Sequence, residues 1–241
     1  MKKFFRAIAL IALIALFCSC AFAESGSFDE LLAQRQAIDC ALIGTDGYTT
    51  LDIAQGIFTI GTDLPAGAYR VETAVLTAVS VYAADPSEEA IFEYTVSQKE
   101  PLEELKLEEG NVLVMTGSVT TFTVISIDAE PSETPVSELL AQREALDNQL
   151  AGSADFTTLK TSQATLTVGI DIPAGTYRTG SSPMSQVAVY NGDPHDDNNL
   201  VQLYIVTGKE PVEKFVLDEG LILVVSGMMD IEISTYTGLS F

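Results

Sequence analysis

One module is written twice in this chain, and that repetition limits the fold more than any other feature. Glu30-Leu31-Leu32-Ala33-Gln34-Arg35 returns as Glu138-Leu139-Leu140-Ala141-Gln142-Arg143. Gly61-Thr62-Asp63-Leu64-Pro65-Ala66-Gly67-Ala68-Tyr69-Arg70 returns as Gly169-Ile170-Asp171-Ile172-Pro173-Ala174-Gly175-Thr176-Tyr177-Arg178, at the same offset of 108. From Tyr94 and Tyr204 onward the offset is 110, as in Lys99-Glu100-Pro101 and Lys209-Glu210-Pro211. Two residues are therefore inserted between Asp193 and Tyr204, the kind of change that surface loops tolerate. Each copy is long enough to fold alone around a modest core.

Each copy opens with an apolar stripe at helical spacing: Phe28, Leu31, Leu32, Ile38 and Leu42, then Val136, Leu139, Leu140, Leu146 and Leu150. Ser27 with Glu30 predicts a capping box, and Thr134 followed by Pro135 predicts an N-cap with proline at the first helical position. The remainder of copy one reads as eight short strands near 49–53, 57–60, 68–72, 78–83, 91–96, 104–107, 112–115 and 119–127, and copy two keeps the same order. The expected fold is mainly β: two tandem antiparallel β-sandwich or jelly-roll modules, each preceded by one amphipathic helix. The expected divisions are 24–46 for the first helix, 47–128 for its β module and 129–134 for a linker. Residues 135–154 then form the second helix and 155–241 its β module.

Lys2, Lys3 and Arg6 precede an apolar run over 7–17, too short for a spanning helix, and then Ala21-Phe22-Ala23. This predicts a signal peptide cleaved after Ala23; a rival reading lipidates Cys20, against a poorly matched lipobox at Phe17-Cys18-Ser19. Twelve basic residues face 34 acidic ones, a net charge of −22, and loss of residues 1–23 removes three cations to leave −25. Such a polyanion repels phosphate backbones and anionic bilayers, so nucleic acid is not an expected partner and the membrane is reached only through a lipid on Cys20. Cys40 alone remains after cleavage, so no intrachain disulfide supports the fold.

In the Leu/Ile-Pro-Ala-Gly words, proline presets a turn and glycine is expected to accept a positive φ ahead of the next strand. The Tyr69-Arg70 and Tyr177-Arg178 pairs beyond them either brace the strand or form weak ligand-binding candidates, with the ring stacking and the guanidinium pairing with a carboxylate. Gly-x-Asp-Ile/Leu-Pro-Ala-Gly-x-Tyr resembles a motif of exported or envelope proteins of Gram-positive bacteria, especially Firmicutes, whose modules carry no established activity. The resemblance implies location and architecture, not chemistry. The Glu-Gly turn before Val112-Leu113-Val114 or Ile222-Leu223-Val224 resembles small cupin-like jelly rolls. Their metal sites use several histidines, and the lone His195 excludes such a site shared by both copies.

Two weaker site candidates remain. The loop containing Asp193, Asp196, Asp197 and Asn199 has oxygens suited to Ca²⁺, the one cofactor considered, although a solvated hairpin tip explains it as well. The tyrosines offer a surface for sugar rings, which the absence of tryptophan counts against. Leu31, Ile38, Leu139 and Leu146 are the candidate interaction residues of the helices. Each helix either covers its own sandwich, the simpler arrangement, or pairs with the other or with a second chain, making an oligomer. Arg35 and Arg143 sit in the stripes with Asp39 and Asp147 four residues on, a spacing for local pairing, while the helical wheel places Cys40 on the exposed side, open to an intermolecular disulfide. The expected function is a secreted or surface-associated, non-catalytic binding or adhesion protein for an extracellular glycan or protein. The alternative is an envelope assembly component acting through helices and β edges, and the third reading is an enzyme using paired carboxylates.

Overall fold

A computed structural model describes residues 26–128 and 134–240. The expected signal peptide, Cys20 and most of the expected linker lie outside the described residues. The chain is mainly β, with helices α1 (Phe28–Leu42) and α2 (Val136–Ala151) each leading a β module. In copy one the strands are β1 (Thr50–Ile53), β2 (Gln55–Thr59), β3 (Gly67–Thr73), β4 (Thr77–Tyr82), β5 (Phe92–Val96), β6 (Leu102–Leu107), β7 (Val112–Thr116) and β8 (Thr120–Ile127). They form two layers in the orders β1-β8-β3-β6 and β2-β7-β4-β5, the jelly-roll arrangement. Alternation along each strand turns Leu51, Phe58, Tyr69, Val71, Val79, Val81, Leu113 and Phe122 inward, and these fill the first core.

Copy two repeats the layers with fewer, longer strands: β9 (Thr158–Thr167), β10 (Gly175–Thr179), β11 (Met184–Tyr190), β12 (Leu200–Thr207), β13 (Val212–Leu217) and β14 (Ile222–Thr235). Here β9 covers the positions of β1 and β2, and β14 those of β7 and β8, so copy two has six strands where the sequence predicts eight. The corner that interrupts copy one is absorbed in β14 by an irregularity between Ser226 and Ile231, which leaves the ladder to β9 intact on both sides. Tyr177, Val187, Val189, Tyr204, Phe215 and Leu223 fill the second core.

The α1 capping box is present: Glu30 N donates to Ser27 Oγ at 3.3 Å and Ser27 N to Glu30 Oε2 at 3.0 Å. At α2, Pro135 itself occupies the cap position and the helix starts at Val136. The turn words also differ from expectation. Gly61 and Gly169 carry the positive φ, near +90°, whereas Gly67 is required by close approach, since a Cβ there would lie 2.5 Å from Ser126 O.

The modules are joined in three ways. First, α1 and α2 pack on each other: Leu31, Ile38, Leu42, Leu139, Leu146 and Leu150 form a core separate from both sandwiches. Helices covering their own modules are thereby corrected; the apolar residues of each stripe are buried against those of the other helix. Second, β13 runs parallel to β2, with Val212 opposite Gln55 and Lys214 opposite Gly56, so one sheet continues from module two into module one. Third, the tail beyond β14 crosses over, and Leu239 enters the first core.

Candidate functional site

Neither Tyr-Arg pair offers a free ring. Tyr69 is fully buried, with its ring edge-on to Phe122 at 6.1 Å and its hydroxyl donating to Pro65 O at 2.7 Å. Tyr177 does the same with Pro173 O at 2.8 Å and packs on Phe215. Each tyrosine therefore ties its strand to the Pro-Ala-Gly turn and stabilises the neutral phenol by burial, so the stacking role considered for the pair is corrected. Arg70 pairs with Glu72 and with Glu103 at 2.9 Å, and Arg178 meets Glu213 at 3.5 Å and Ser240. Both guanidiniums are engaged with the chain's own carboxylates.

The carboxylates of Asp193 and Asp196 are turned onto the backbone of their own loop. Asp193 Oδ1 accepts from His195 N at 2.9 Å, Asp196 Oδ1 accepts from Asn198 N at 3.0 Å and Nδ2 at 2.7 Å, and Asn199 Nδ2 donates to Asp193 O at 3.1 Å. Asp197, with Asn198 and Asn199, forms a 3-10 turn. Among the described residues no group of three or more His, Cys, Asp or Glu is placed to hold a metal ion. The exposed Cys40 expected from the helical wheel is also corrected: Sγ is directed at Thr62 O, 3.4 Å away, and burial beside Asp39 and Asp63 pushes its thiol far up. A thiol so held is a poor nucleophile.

The structure gathers a polar junction that sequence reasoning did not assemble. Across the helix pair, Arg35 Nε reaches Asp147 at 2.7 Å and Arg143 Nε reaches Asp39 at 3.2 Å, two reciprocal contacts related by the repeat offset. Arg35 also lies against Asp39, its own i+4 neighbour. The tail closes the cluster: Leu239 N donates to Asp39 Oδ2 at 3.1 Å, and Leu239 O accepts from Arg143 Nη2 at 2.6 Å and Arg35 Nη2 at 3.2 Å. Deeper in, the fully buried Asp63 accepts from Thr59 N at 2.8 Å, Gln36 Nε2 at 3.0 Å, Tyr236 hydroxyl at 3.1 Å and Lys214 Nζ at 2.5 Å. Glu213 accepts from Ser240 N at 2.8 Å. The buried carboxylates Asp39, Asp63 and Glu213 are thus each held by a cation and by tail or helix donors, an arrangement that ties the modules together.

A signal for this junction existed in the departures between copies. Lys214 corresponds to Glu104 and Gly56 to Ala164, whereas Asp63 is matched by Asp171, which keeps only the shared task of accepting from Thr167 N at 2.8 Å. The reverse junction, β6 against β9, would set Glu104 near Asp171, two like charges, and those strands do not pair.

Burial, only partly offset by Arg35 and Arg143, pushes the Asp39 carboxyl up from 3.8 to about 6. The folded chain therefore holds this proton more tightly than the unfolded chain. The cost of the buried charge is fully present above pH 6 and is relieved as pH falls through 6 toward 3.8. Relative to Asp39→Asn, the wild type should gain roughly 2 kcal/mol between neutral pH and pH 4. Urea midpoints of both proteins across that range measure it, and a constant difference between them would refute the assignment.

A concave feature lies where module two faces the loops of module one. A cavity of about 300 Å³ is lined by Leu203 and Ile205 of β12 and, across from them, by Val75, Leu76, Gly117 and Ser118. Gln55 Nε2 spans its floor, donating to Ile205 O at 2.8 Å and Glu210 O at 3.3 Å. The outward row of β12 is apolar: Val201, Leu203 and Ile205 are 53%, 44% and 48% exposed. Their copy-one counterparts are Ile91, Glu93 and Thr95. Among the described residues no helix is long and apolar enough to cross a membrane.

No family model and no curated protein matches the sequence. Solved structures with some likeness include the regulatory subunit of a cAMP-independent protein kinase A from Trypanosoma brucei, at 7% identity and a TM-score of 0.25 over 89% of this chain and 86% of that one. The regulatory domain of Toxoplasma gondii PKA with cAMP gives 10% identity and 0.22 over 89% and 90%. PBSX exported protein XepA gives 11% and 0.20 over 80% and 86%. Scores this low carry no functional argument.

Proposed function

We propose that the chain is an exported, non-catalytic binding protein of a Gram-positive cell envelope, acting through the groove between its modules. The supporting observation is the apolar outer row of β12 facing Val75 and Leu76, where copy one has Glu93 and Thr95 instead. Exposed apolar rows of this kind mark contact surfaces. No aromatic ring lines the groove, so an extended apolar segment fits it better than a glycan. Assembly through helix faces loses its basis, because both stripes are consumed by each other, but assembly through a β edge keeps it. The groove has a single carboxylate, Glu210, and the buried carboxylates are already paired, so nothing favours the enzyme reading.

In the producing cell the protein should be found outside the cytoplasm with Glu24 as its first residue. A Leu203→Ser/Ile205→Ser variant of equal thermal stability should be shed from the envelope into the medium. Retention of that variant equal to wild type, or a full-length cytoplasmic chain, would count against the reading.

A further inference from the structure

We propose that Lys214 and Asp63 close a covalent bridge between the two modules, an isopeptide bond from Lys214 Nζ to Asp63 Cγ that the folded chain forms by itself. The inference is independent of the groove. It starts from how the donors divide between the oxygens of Asp63. Lys214 Nζ, at 2.5 Å, and Thr59 N, at 2.8 Å, both lie on Oδ2, whereas Gln36 Nε2, at 3.0 Å, and the Tyr236 hydroxyl, at 3.1 Å, both lie on Oδ1. One oxygen thus meets the amine while the other is cradled by neutral donors, the arrangement that favours attack at a carboxyl carbon.

An amine in contact with Oδ2 stands about 3–3.5 Å from Cγ, within reach for attack. Burial adds a driving force. Asp63 and Lys214 are 1% and 9% exposed, and an ion pair so far from water bears a desolvation cost that a neutral amide avoids. The Tyr236 ring lies over Nζ at 5.3 Å, and burial together with Asp63, Glu213 and Asp39 pushes its hydroxyl well up, so it stays a neutral donor. Lys106 and Lys160 also pair with carboxylates, Glu104 and Glu232, but on the solvent side, where water holds both charges. Copy one has Glu104 where copy two has Lys214, so the repeat supplies one such buried pair.

The ammonium first passes one proton across the contact to Oδ2, leaving an amine and a carboxylic acid. The lone pair of Nζ attacks Cγ, and the carbonyl π pair moves onto Oδ1, where Tyr236 and Gln36 stabilise the negative charge. As that pair returns, the bond from Cγ to the protonated Oδ2 breaks, and the nitrogen gives a second proton to the departing oxygen. One amide forms and one water leaves; nothing is oxidised or reduced and no other reactant enters. The bond joins positions 151 apart and fastens β13 of module two to the turn of module one.

Intact mass of the denatured chain tests this. Chain recovered unfolded from inclusion bodies and refolded should start at full mass with the ion pair alone, the form to which the unfolding energies of that pair belong. Incubation at neutral pH should convert it to a form lighter by one water, in which proteolysis yields a single fragment joining the peptide of Asp63 to that of Lys214. The light form should unfold at a higher urea concentration than the fresh one, because a cross-link restricts the unfolded chain. Lys214→Arg keeps the cation and should keep full mass. Tyr236→Phe keeps the ring, removes a donor from Oδ1 and should slow conversion about a hundredfold. The wild-type mass is decisive even where a variant fails to fold. Full mass after prolonged incubation overturns the proposal. So does a light form without the joined fragment, the signature of ring closure at Asp46-Gly47, or one that persists in Lys214→Arg. Conversion of Tyr236→Phe at the wild-type rate overturns the assignment of Oδ1 as the oxygen that takes the charge.

Discussion

Replacing Asp63 with alanine should destabilise the chain by about 3–5 kcal/mol, measured by urea unfolding at neutral pH. Four donors converge on this fully buried carboxylate from four places: Thr59 at the end of β2, Gln36 in α1, Lys214 in β13 and Tyr236 in the tail. Removing it strands a largely buried ammonium, which otherwise lies over the Tyr236 ring at 5.3 Å, and leaves an amide and a phenol without this acceptor. Adding Lys214→Met to the variant should recover a substantial part of the loss, since the charge that needs compensation is then gone. At Asp171, which has the turn contact alone, alanine should cost about 1 kcal/mol. Equal effects at Asp63 and Asp171 would show that the junction adds nothing to the turn.

Gly56→Val should open the junction, with a loss of about 4 kcal/mol and a change from one calorimetric transition to two. A Cβ at Gly56 would sit 2.7 Å from Lys214 O and 2.9 Å from Lys214 N, backbone atoms that yield only if β13 leaves β2. Departure of β13 also removes Lys214 from Asp63 and Gln55 from Ile205 O, so overpacking and a broken ion pair act together. The modules would then be held by the helix pair and the tail alone. Cooperative unfolding of Gly56→Val near the wild-type temperature would contradict this account of the parallel bridge.

Much of the architecture was legible in the chain. All eight strands of copy one fall within two residues of their expected positions, because alternation and turn residues are local signals. The fusion of strands in copy two was not legible, since an irregularity such as that between Ser226 and Ile231 depends on the ladder on either side of it. The Tyr-Arg words were open between bracing and binding; only the packing of Tyr69 against Phe122, with its hydroxyl on Pro65 O, decides for bracing.

By itself the sequence determined the doubled module, the β-rich class and the helix that leads each copy, all of which come from repetition and periodicity. Tertiary structure alone decided which surfaces are spent. A leucine stripe gains as much against a twin helix as against a sheet, so periodicity names the buried face and not its partner. The same holds for Asp63, a turn residue in both copies that became the hub of the junction only because Lys214 and Tyr236 arrive from more than 150 residues away. Contacts of that range depend on how two finished modules dock, and no local pattern in either copy encodes it.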